Sequence, residues 1–209
     1  MIIIEAYGDS TTEGLQTTAG VLQVSANNEC VVLQKLLRDL VRPDVCVKNE
    51  GVGGTEIWQL LTGNDNKHAI WDTQMANSNA QVVTLNFLLN DQYLVDHPLP
   101  GVWQERPEDY IFFMTQAVNT ARSHNKAVVL YEPNPTRSFM SSRVLEYLSC
   151  LRYVAATLNV PLIPNMVGIT SLPNWQDLLS EDFIHPSDEL YKIKAEIAFP
   201  TIAKIIKTL

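Results

Sequence analysis

Three side chains near the two ends of the chain have the types and spacing of a nucleophile and its base. Ser10 lies in the segment GDSTTEG at positions 8–14, directly after the apolar run 2–7, and Asp182 stands three residues before His185. A histidine can take the proton of a serine hydroxyl, and a carboxylate can orient the imidazole and stabilise its charged form. The two motifs together predict a serine hydrolase.

Each motif also has a purely structural interpretation. The tripeptide around Ser10 suits a turn or a helix N-cap after a strand. His185 precedes Pro186 and a good helix start, so it would also suit a loop. The occurrence of both motifs in one chain favours the chemical interpretation. The other histidines are interpreted as surface or structural residues; they are His68, His97 and His124.

Acyl transfer also needs hydrogen-bond donors for the negative charge that develops on the carbonyl oxygen, and two internal segments can supply them. The glycine-rich segment 49–54 follows the second predicted strand. A glycine there lets a backbone N–H approach the reacting oxygen, although a plain turn would have the same composition. Asn90 follows the third predicted strand and can donate a side-chain amide hydrogen.

Short apolar runs at 2–7, 45–47, 81–88, 127–131 and 160–163 are the elements that must position these residues. Each run is apolar on both faces, which is typical of parallel strands covered by helices. Their alternation with helical patterns predicts an α/β fold, a three-layer α/β/α arrangement over a single domain 1–209. Ser10 then lies at the carboxyl edge of the sheet, where open α/β sheets carry their sites.

Apolar stripes at helical spacing predict amphipathic helices around 32–40, 111–121 and 144–158. Pro107 is expected to open the second of these, and a last helix is expected to start near Ser187. Pro200 should kink or break that last helix. The segments 91–106 and 132–142 are predicted to be irregular and to lie at the carboxyl edge beside Ser10.

Composition excludes several classes of function. The chain has 209 residues, of which 46% are hydrophobic and 18% charged, and its net charge of -8 disfavours a nucleic-acid partner. No apolar stretch approaches a bilayer span. No leader is visible before the first strand, so the cytoplasm is the default expectation; a secreted chain trimmed of its leader, or a domain of a larger assembly, would have the same sequence. The three cysteines indicate buried apolar residues rather than a disulfide framework. No ligand spacing predicts a metal.

The four segments, in this order, resemble the sequence blocks of the SGNH (GDSL) hydrolase superfamily, and they span nearly the whole chain. The blocks are GDS at 8–10, the glycine segment 49–54, Asn90-Asp91, and 182–185. The resemblance implies a flavodoxin-like, five-stranded parallel sheet and ester hydrolysis that needs no metal or cofactor.

The resemblance also implies roles for single residues. Ser10 would be the nucleophile, His185 the base and Asp182 the residue that orients the base. The oxyanion hole would consist of the Ser10 N–H, the Gly54 N–H and the Asn90 side chain. Gly53 is an alternative to Gly54, and Asn86 is an alternative to Asn90.

The chain departs from the family pattern at two positions. Thr11 stands where leucine is common, and Leu88 stands where a glycine is common. Leu88 is expected to narrow the acyl pocket. Tyr93, Trp58 and Trp103 are further candidates for substrate binding, since aromatic rings can stack on sugars, although they would equally anchor loops to the core.

The expected substrates are small-molecule or carbohydrate esters. A pocket narrowed by Leu88 favours short-acyl or O-acetyl esters, including acetyl groups on carbohydrate. Lysophospholipase or acyl-thioesterase activity is an alternative, and a non-catalytic binding module that retains the fold is another. A chain-length series of esters and thioesters distinguishes the first two.

Overall fold

The computed structural model describes residues 1–100, 103–137 and 141–209. Its strands are β1 (Ile2–Gly8), β2 (Leu15–Thr18), β3 (Val21–Val24), β4 (Val45–Gly51), β5 (Val82–Asn86), β6 (Ala127–Tyr131) and β7 (Leu162–Ile163). Its α-helices are α1 (Ser10–Glu13), α2 (Glu29–Leu40), α3 (Ile57–Thr62), α4 (Trp71–Asn77), α5 (Leu89–Asp96), α6 (Pro107–Ser123), α7 (Ser142–Thr157), α8 (Asn165–Thr170) and α9 (Asp188–Ile206). A 3₁₀ turn covers Trp175–Leu178.

The main sheet has five strands in the order β4-β1-β5-β6-β7, and all of its strand pairs are parallel. When these five strands alone are numbered along the chain, the order is 2-1-3-4-5, which is the flavodoxin-like order. Gly8 at the end of β1 is in register with Gly51 of β4 and Asn86 of β5. The carboxyl ends of these three strands therefore lie side by side, and the predicted fold class is confirmed.

Both faces of the sheet are buried, which makes the fold three-layered. In β5 and β6 successive residues face opposite sides, as the two-residue period of a strand requires. Val83 and Leu130 pack against the helices α3 to α7, whereas Val82 and Val129 pack against α2 and α9. The expectation of two apolar faces is wrong for the edge strand β4, whose inner positions are partly exposed. The run 160–163 at the other edge is likewise not buried throughout, since Pro161 is exposed.

The predicted helices α2, α6 and α7 form where the apolar stripes indicated them. Pro107 is the first residue of α6, and the Ser187 hydroxyl caps α9 by accepting the Leu190 N–H at 3.3 Å. The expected break at Pro200 is wrong, because α9 continues through it to Ile206. Ala198 and Ile202, on either side of the proline, are fully buried, and this packing offsets the lost backbone hydrogen bond.

Two local predictions need correction. The segment 91–106 is not irregular throughout, since α5 extends to Asp96; within it and within 132–142, residues 101–102 and 138–140 lie outside the described residues. The glycine-rich segment begins inside β4 rather than after it, because β4 extends to Gly51. The hairpin β2–β3 was not predicted, because its residues are mostly exposed and show no buried face.

All three cysteines are free; Cys30 is buried, and burial raises the pKa of its thiol to about 12. Cys46 and Cys150 are only partly buried, so the expectation of burial holds for Cys30 alone. Across the described ranges, every helix is too short or too polar to span a bilayer.

Candidate active site

The strand-to-helix turn after β1 presents Ser10 at the carboxyl edge of the sheet. Asp9 caps α1, because its carboxylate accepts the backbone N–H and the hydroxyl of Thr11, both at 2.8 Å. Ser10 is the first residue of α1 and is only partly buried. Burial raises the pKa of the Asp9 carboxyl, which is fully enclosed beneath the turn. The cap fixes the backbone on which the serine hydroxyl is presented.

The fold brings Ser10, His185 and Asp182 into one hydrogen-bonded row. His185 Nε2 lies 2.9 Å from Ser10 Oγ, although the two residues are 175 positions apart. His185 Nδ1 lies 2.8 Å from Asp182 Oδ2. These are the distances at which an imidazole can take a hydroxyl proton while a carboxylate holds its other nitrogen.

The Asp182 carboxylate is surrounded by hydrogen-bond donors. Its Oδ1 accepts the backbone N–H groups of Ile184 at 2.8 Å and His185 at 2.9 Å, and the Ser180 hydroxyl at 3.1 Å. Its Oδ2 also accepts the hydroxyl of Thr17. Partial burial would raise the pKa of Asp182, but the hydrogen bonds, that of Thr17 foremost, outweigh burial and hold the pKa well below its usual range. Asp182 is therefore ionised at neutral pH.

The glycine-rich segment lies against α1 and presents one open backbone donor. A Cβ at Gly51 would lie 2.1 Å from the backbone nitrogen of Glu13, so only glycine lets α1 pack this closely on β4. Gly53 donates its N–H to Glu13 Oε2 at 2.7 Å. Gly54 adopts the left-handed conformation, with φ at +76°. Because the Gly53 N–H is engaged, the geometry favours Gly54 over Gly53 as an oxyanion donor.

The two candidate asparagines differ in the hydrogen bonds that they already make. Asn86 is buried and uses both amide hydrogens, on Thr11 Oγ1 at 3.2 Å and on Thr12 Oγ1 at 3.0 Å. Asn90 donates one amide hydrogen to the Thr55 carbonyl at 3.0 Å, which leaves its second hydrogen for another acceptor. Asn90 also lines the cleft beside Ser10. The geometry therefore favours Asn90 over Asn86.

Buried acids lie behind these donors and join the segments that carry them. Asp91 Oδ1 accepts the Ile57 N–H at 2.8 Å, which links the start of α5 to the start of α3. Burial, together with the charge of Asp91, raises the pKa of Glu56 to about 8. Burial and the same charge also raise the pKa of Glu105 strongly, so Glu105 is protonated at neutral pH. A neutral Glu105 avoids the repulsion that three buried carboxylates would otherwise suffer.

A cleft of about 480 Å³ opens beside Ser10 and His185. Gly54 and Asn90, which carry a backbone donor and a side-chain donor, are among the residues that line it. The remaining lining is largely apolar, and its side chains are Leu15, Leu22, Leu89, Tyr93 and Ile184. The cleft thus combines polar groups at the serine with a surface that suits an apolar part of a ligand.

The four residues proposed to bind substrate are placed very differently. Tyr93 lines the cleft, and its ring stacks on His97 with the ring centroids 4.1 Å apart. Leu88 lies fully buried in the core instead of narrowing the pocket, and its neighbour Leu89 lines the cleft. Trp58 donates its indole N–H to Glu56 at 2.8 Å, and Trp103 is exposed. Neither tryptophan is among the described residues that line the cleft.

Sequence reasoning missed two side chains at the site and one feature outside it. Thr17 and Ser180 contact Asp182, but a lone hydroxyl residue in a short exposed strand or loop carries no sequence signal. His68 does carry one, because Asp65 precedes it by three residues, as Asp182 precedes His185. The interpretation of His68 as a structural residue overlooked this spacing. In the part of the chain that the structure describes, no cluster of His, Cys, Asp or Glu side chains could hold a metal ion.

Comparison with protein families gives one match that covers most of the chain. The model of the GDSL-like Lipase/Acylhydrolase family matches residues 6–193. No curated protein sequence matches the chain significantly.

Solved structures similar to this chain have low sequence identity but the same fold. A lipase/acylhydrolase from Enterococcus faecalis has a TM-score of 0.78 at 19% identity, over 98% of this chain and 97% of its own. An acetylxylan esterase, Axe2 from Geobacillus stearothermophilus, has a TM-score of 0.73 at 17% identity, over 96% of this chain and 94% of its own. A lipolytic G-D-S-L protein from Veillonella parvula has a TM-score of 0.73 at 16% identity, over 98% of this chain and 100% of its own.

Proposed function

The chain belongs to the GDSL-like lipase/acylhydrolase family and is a carboxylic-ester hydrolase, and from this premise we propose that it hydrolyses short-acyl esters through an acyl-enzyme on Ser10. The observation that carries the proposal is the 2.9 Å distance between Ser10 Oγ and His185 Nε2 at the floor of an open cleft. A serine hydroxyl is a weak nucleophile unless a base takes its proton, and this contact supplies the base.

In the first step His185 Nε2 removes the Ser10 proton while Oγ attacks the ester carbonyl carbon. The carbonyl oxygen becomes an oxyanion, which the N–H groups of Ser10 and Gly54 and the Asn90 amide stabilise. The carbon–oxygen bond to the alcohol then breaks, and the alcohol leaves with the proton that His185 holds. Asp182 stays ionised throughout and stabilises the imidazolium that forms between the two proton transfers.

In the second step water takes the place of the alcohol. His185 removes a proton from the water, which attacks the acyl-serine carbonyl, and the same three donors hold the second oxyanion. The bond to Ser10 Oγ breaks, Ser10 regains its proton from His185, and the acid is released.

The size and the donors of the cleft support a small ester as substrate. A volume of about 480 Å³ lies toward the lower end of ligand pockets, at roughly 300–1,000 Å³. One of the similar folds is an acetylxylan esterase, and acetyl groups on carbohydrate are small esters of the proposed kind. We include them among the proposed substrates.

A second candidate is hydrolysis of longer acyl esters or thioesters, as in a lysophospholipase or acyl thioesterase. The observation that favours it is the aliphatic lining by Leu15, Leu22, Leu89 and Ile184. Leu88 offers no obstacle to a long chain, since its side chain lies in the core. A non-catalytic binding module is disfavoured by the family match and by the open cleft.

Hydrolysis of a series of p-nitrophenyl esters, from acetate through butyrate and octanoate to laurate, tests the proposal. We expect the highest kcat/KM on the short esters, loss of turnover in Ser10→Ala, and a fall of about 10²–10³ in kcat for Asn90→Ala. A rate maximum at octanoate or laurate would instead establish the second candidate. The values of kcat/KM on acetylated xylooligosaccharides and on acyl thioesters would then be compared. Equal rates in the parent and in Ser10→Ala would overturn the acyl-enzyme mechanism.

A further inference from the structure

The hairpin β2–β3 lies between α1 and α2 in the chain, and it contacts the loop that carries Asp182. At the hairpin turn, the N–H groups of Ala19 and Gly20 donate to the two carboxylate oxygens of Glu181, each at 2.8 Å. In β2, Thr17 donates its N–H to Ser180 Oγ at 3.2 Å and accepts the Glu181 N–H at 3.4 Å. In these contacts the hairpin uses only its backbone groups, so they do not depend on the side chain at position 17.

The side chain of Thr17 makes a further contact that the attachment does not need. Its hydroxyl donates to Asp182 Oδ2, the same oxygen that receives His185 Nδ1–H at 2.8 Å. The Asp182 side chain is 22% exposed, so water is close enough to compete for the carboxylate if this hydroxyl is removed. Water bound there could pull the carboxylate away from the imidazole.

A second aspartate–histidine pair in the chain shows what the hydroxyl adds. Asp65 Oδ1 accepts the N–H groups of Lys67 and His68, and its Oδ2 lies 2.6 Å from His68 Nδ1. Within the described ranges, no hydroxyl donates to Asp65. The backbone arrangement that holds the carboxylate is common to both pairs, whereas the hydroxyl donor on the oxygen that faces the imidazole occurs at Asp182.

We propose that Thr17 is a positioning residue for ester hydrolysis, whose hydroxyl holds the Asp182 carboxylate toward His185 and so keeps His185 Nε2 on Ser10 Oγ. Leu22 lies opposite Thr17 in the hairpin register and lines the cleft. The hairpin thus joins a wall of the substrate cleft to the carboxylate of the catalytic row. The inference rests on the proposed function, since it assigns Thr17 a part in activating Ser10.

Three variants separate the hydroxyl from the rest of the hairpin. Thr17→Val has nearly the same shape and keeps both backbone hydrogen bonds, but it lacks the hydroxyl. Thr17→Ser restores the hydroxyl. Thr18→Val is the matched control, because Thr18 is the next residue of the same strand and is exposed.

The first measurement is kcat and KM on p-nitrophenyl butyrate, and the second is the rate at which a fluorophosphonate probe labels Ser10. In that labelling, Ser10 Oγ forms a bond to phosphorus, fluoride leaves, and His185 takes the serine proton, so no ester substrate is needed. We expect Thr17→Val to lower kcat and the labelling rate by about 10- to 100-fold, because misplaced catalytic groups lose rates of this order. KM should change little, and Thr17→Ser should recover most of both rates.

The third measurement is the downfield proton NMR resonance of the His185 Nδ1–H, which reports its hydrogen bond to Asp182. It should move in Thr17→Val, return in Thr17→Ser and stay unchanged in Thr18→Val. Wild-type labelling rates in Thr17→Val, or Thr17→Ser as slow as Thr17→Val, would overturn the inference. Failure of the probe to label Ser10 in the parent would overturn the proposed function instead. In that case, an unchanged His185 Nδ1–H resonance in Thr17→Val would overturn the role of Thr17 as well.

Discussion

The chain contains the same four-residue arrangement twice, once at Asp65–His68 and once at Asp182–His185. In both, the aspartate Oδ1 accepts the N–H groups two and three residues later, and Oδ2 meets the histidine Nδ1. In both, the residue after the aspartate is left-handed, with φ at +63° for Asn66 and +60° for Phe183. The two loops therefore have the same local structure.

The two histidines differ in what meets their Nε2 atoms. His185 Nε2 faces Ser10 Oγ at the floor of the cleft. His68 Nε2 faces the Glu50 carboxylate at 3.4 Å, and its ring packs edge-on against Tyr7 with the centroids 5.2 Å apart. His68 is thus enclosed between two acids, and its Nε2 atom meets Glu50 where that of His185 meets Ser10.

The surroundings also set the protonation of His68. Burial would lower the pKa of its imidazole, but the hydrogen bonds to Glu50 and Asp65 outweigh burial and raise it. These hydrogen bonds favour the charged form of the imidazole, and that form has no lone pair with which to accept a proton. An aspartate three residues before a histidine is therefore a stable local structure, and the groups that the fold brings to it decide whether it does chemistry.

Paired histidine variants give the largest expected contrast. His185→Ala removes the base, and we expect kcat on p-nitrophenyl butyrate to fall by about 10⁴-fold or more, as in other serine hydrolases that lose this group. His68→Ala should retain kcat within a few-fold and should lower the free energy of unfolding, because it breaks a buried pair. Urea unfolding and initial rates on both variants measure this contrast. A folded His68→Ala protein that lost activity as His185→Ala does would contradict the distinction between the two loops.

The pH dependence of stability gives a smaller contrast, and its sign follows from the two pKa shifts. The pKa of Asp65 is lowered from 3.8, so its contribution is present above that value and is lost in acid. The pKa of His68 is raised from 6.5, so its contribution is complete below that value and is lost as the pH rises through the folded-state pKa. The pair therefore stabilises the fold most between these two values.

We expect His68→Ala to lower the free energy of unfolding by about 1–3 kcal/mol near pH 5, and by less near pH 9. The charged groups that face His68 are Asp65, Glu50 and Lys67, which itself pairs with Glu50 at 3.1 Å. Glu50→Gln is the matched control and should remove much of the pH dependence while His68 remains. If the loss of unfolding free energy in His68→Ala became larger toward pH 9, the pair would not be stabilised by charge.

The smallest expected contrast between the two loops concerns the left-handed residue that follows each aspartate. Asn66 adopts a conformation that asparagine tolerates, whereas Phe183 adopts it at a cost and is 43% exposed. Phe183→Asn should therefore raise the free energy of unfolding by about 1 kcal/mol, and Asn66→Phe should lower it by a similar amount.

Thermal unfolding of the two variants measures these changes. The stacking of the Arg137 guanidinium on the Phe183 ring, 5.0 Å from its centroid, is lost in Phe183→Asn and reduces the gain. A destabilised Phe183→Asn protein would mean that this ring contact outweighs the backbone strain, and that the active-site loop is not the more strained of the two.

Much of the fold follows from patterns that are local in the chain. The apolar runs of β1, β5 and β6 and the stripes of α2, α6 and α7 predicted their elements, because burial on two faces or on one stripe leaves a periodic signature. The hairpin β2–β3 leaves no such periodic signature, since its side chains are exposed or only half-buried. Pro200 carries a signal for a helix break that packing on both sides overrides.

Some features of the candidate site could likewise be predicted from the sequence, and others could not. The blocks around Ser10, Asn90 and His185 are recognisable in the sequence because their chemistry requires particular residue types. The lining of the cleft is not recognisable in this way, as Leu88 and Leu89 show. Both leucines are buried in the same core cluster, yet Leu89 also lines the cleft and Leu88 does not. The direction of each side chain depends on how α5 leaves the sheet, which no local pattern contains.

The sequence by itself determined the class of fold and the residue types of the site, because periodic apolar patterns and short motifs indicate both. It also contains the two aspartate–histidine loops, whose hydrogen bonds join residues within three positions of each other. The tertiary structure decided which loop meets a serine, that a threonine from an exposed hairpin completes the Asp182 carboxylate, and which asparagine and glycine keep a hydrogen free. These outcomes depend on groups up to 175 positions apart, and such groups meet only after the sheet and its helices have packed.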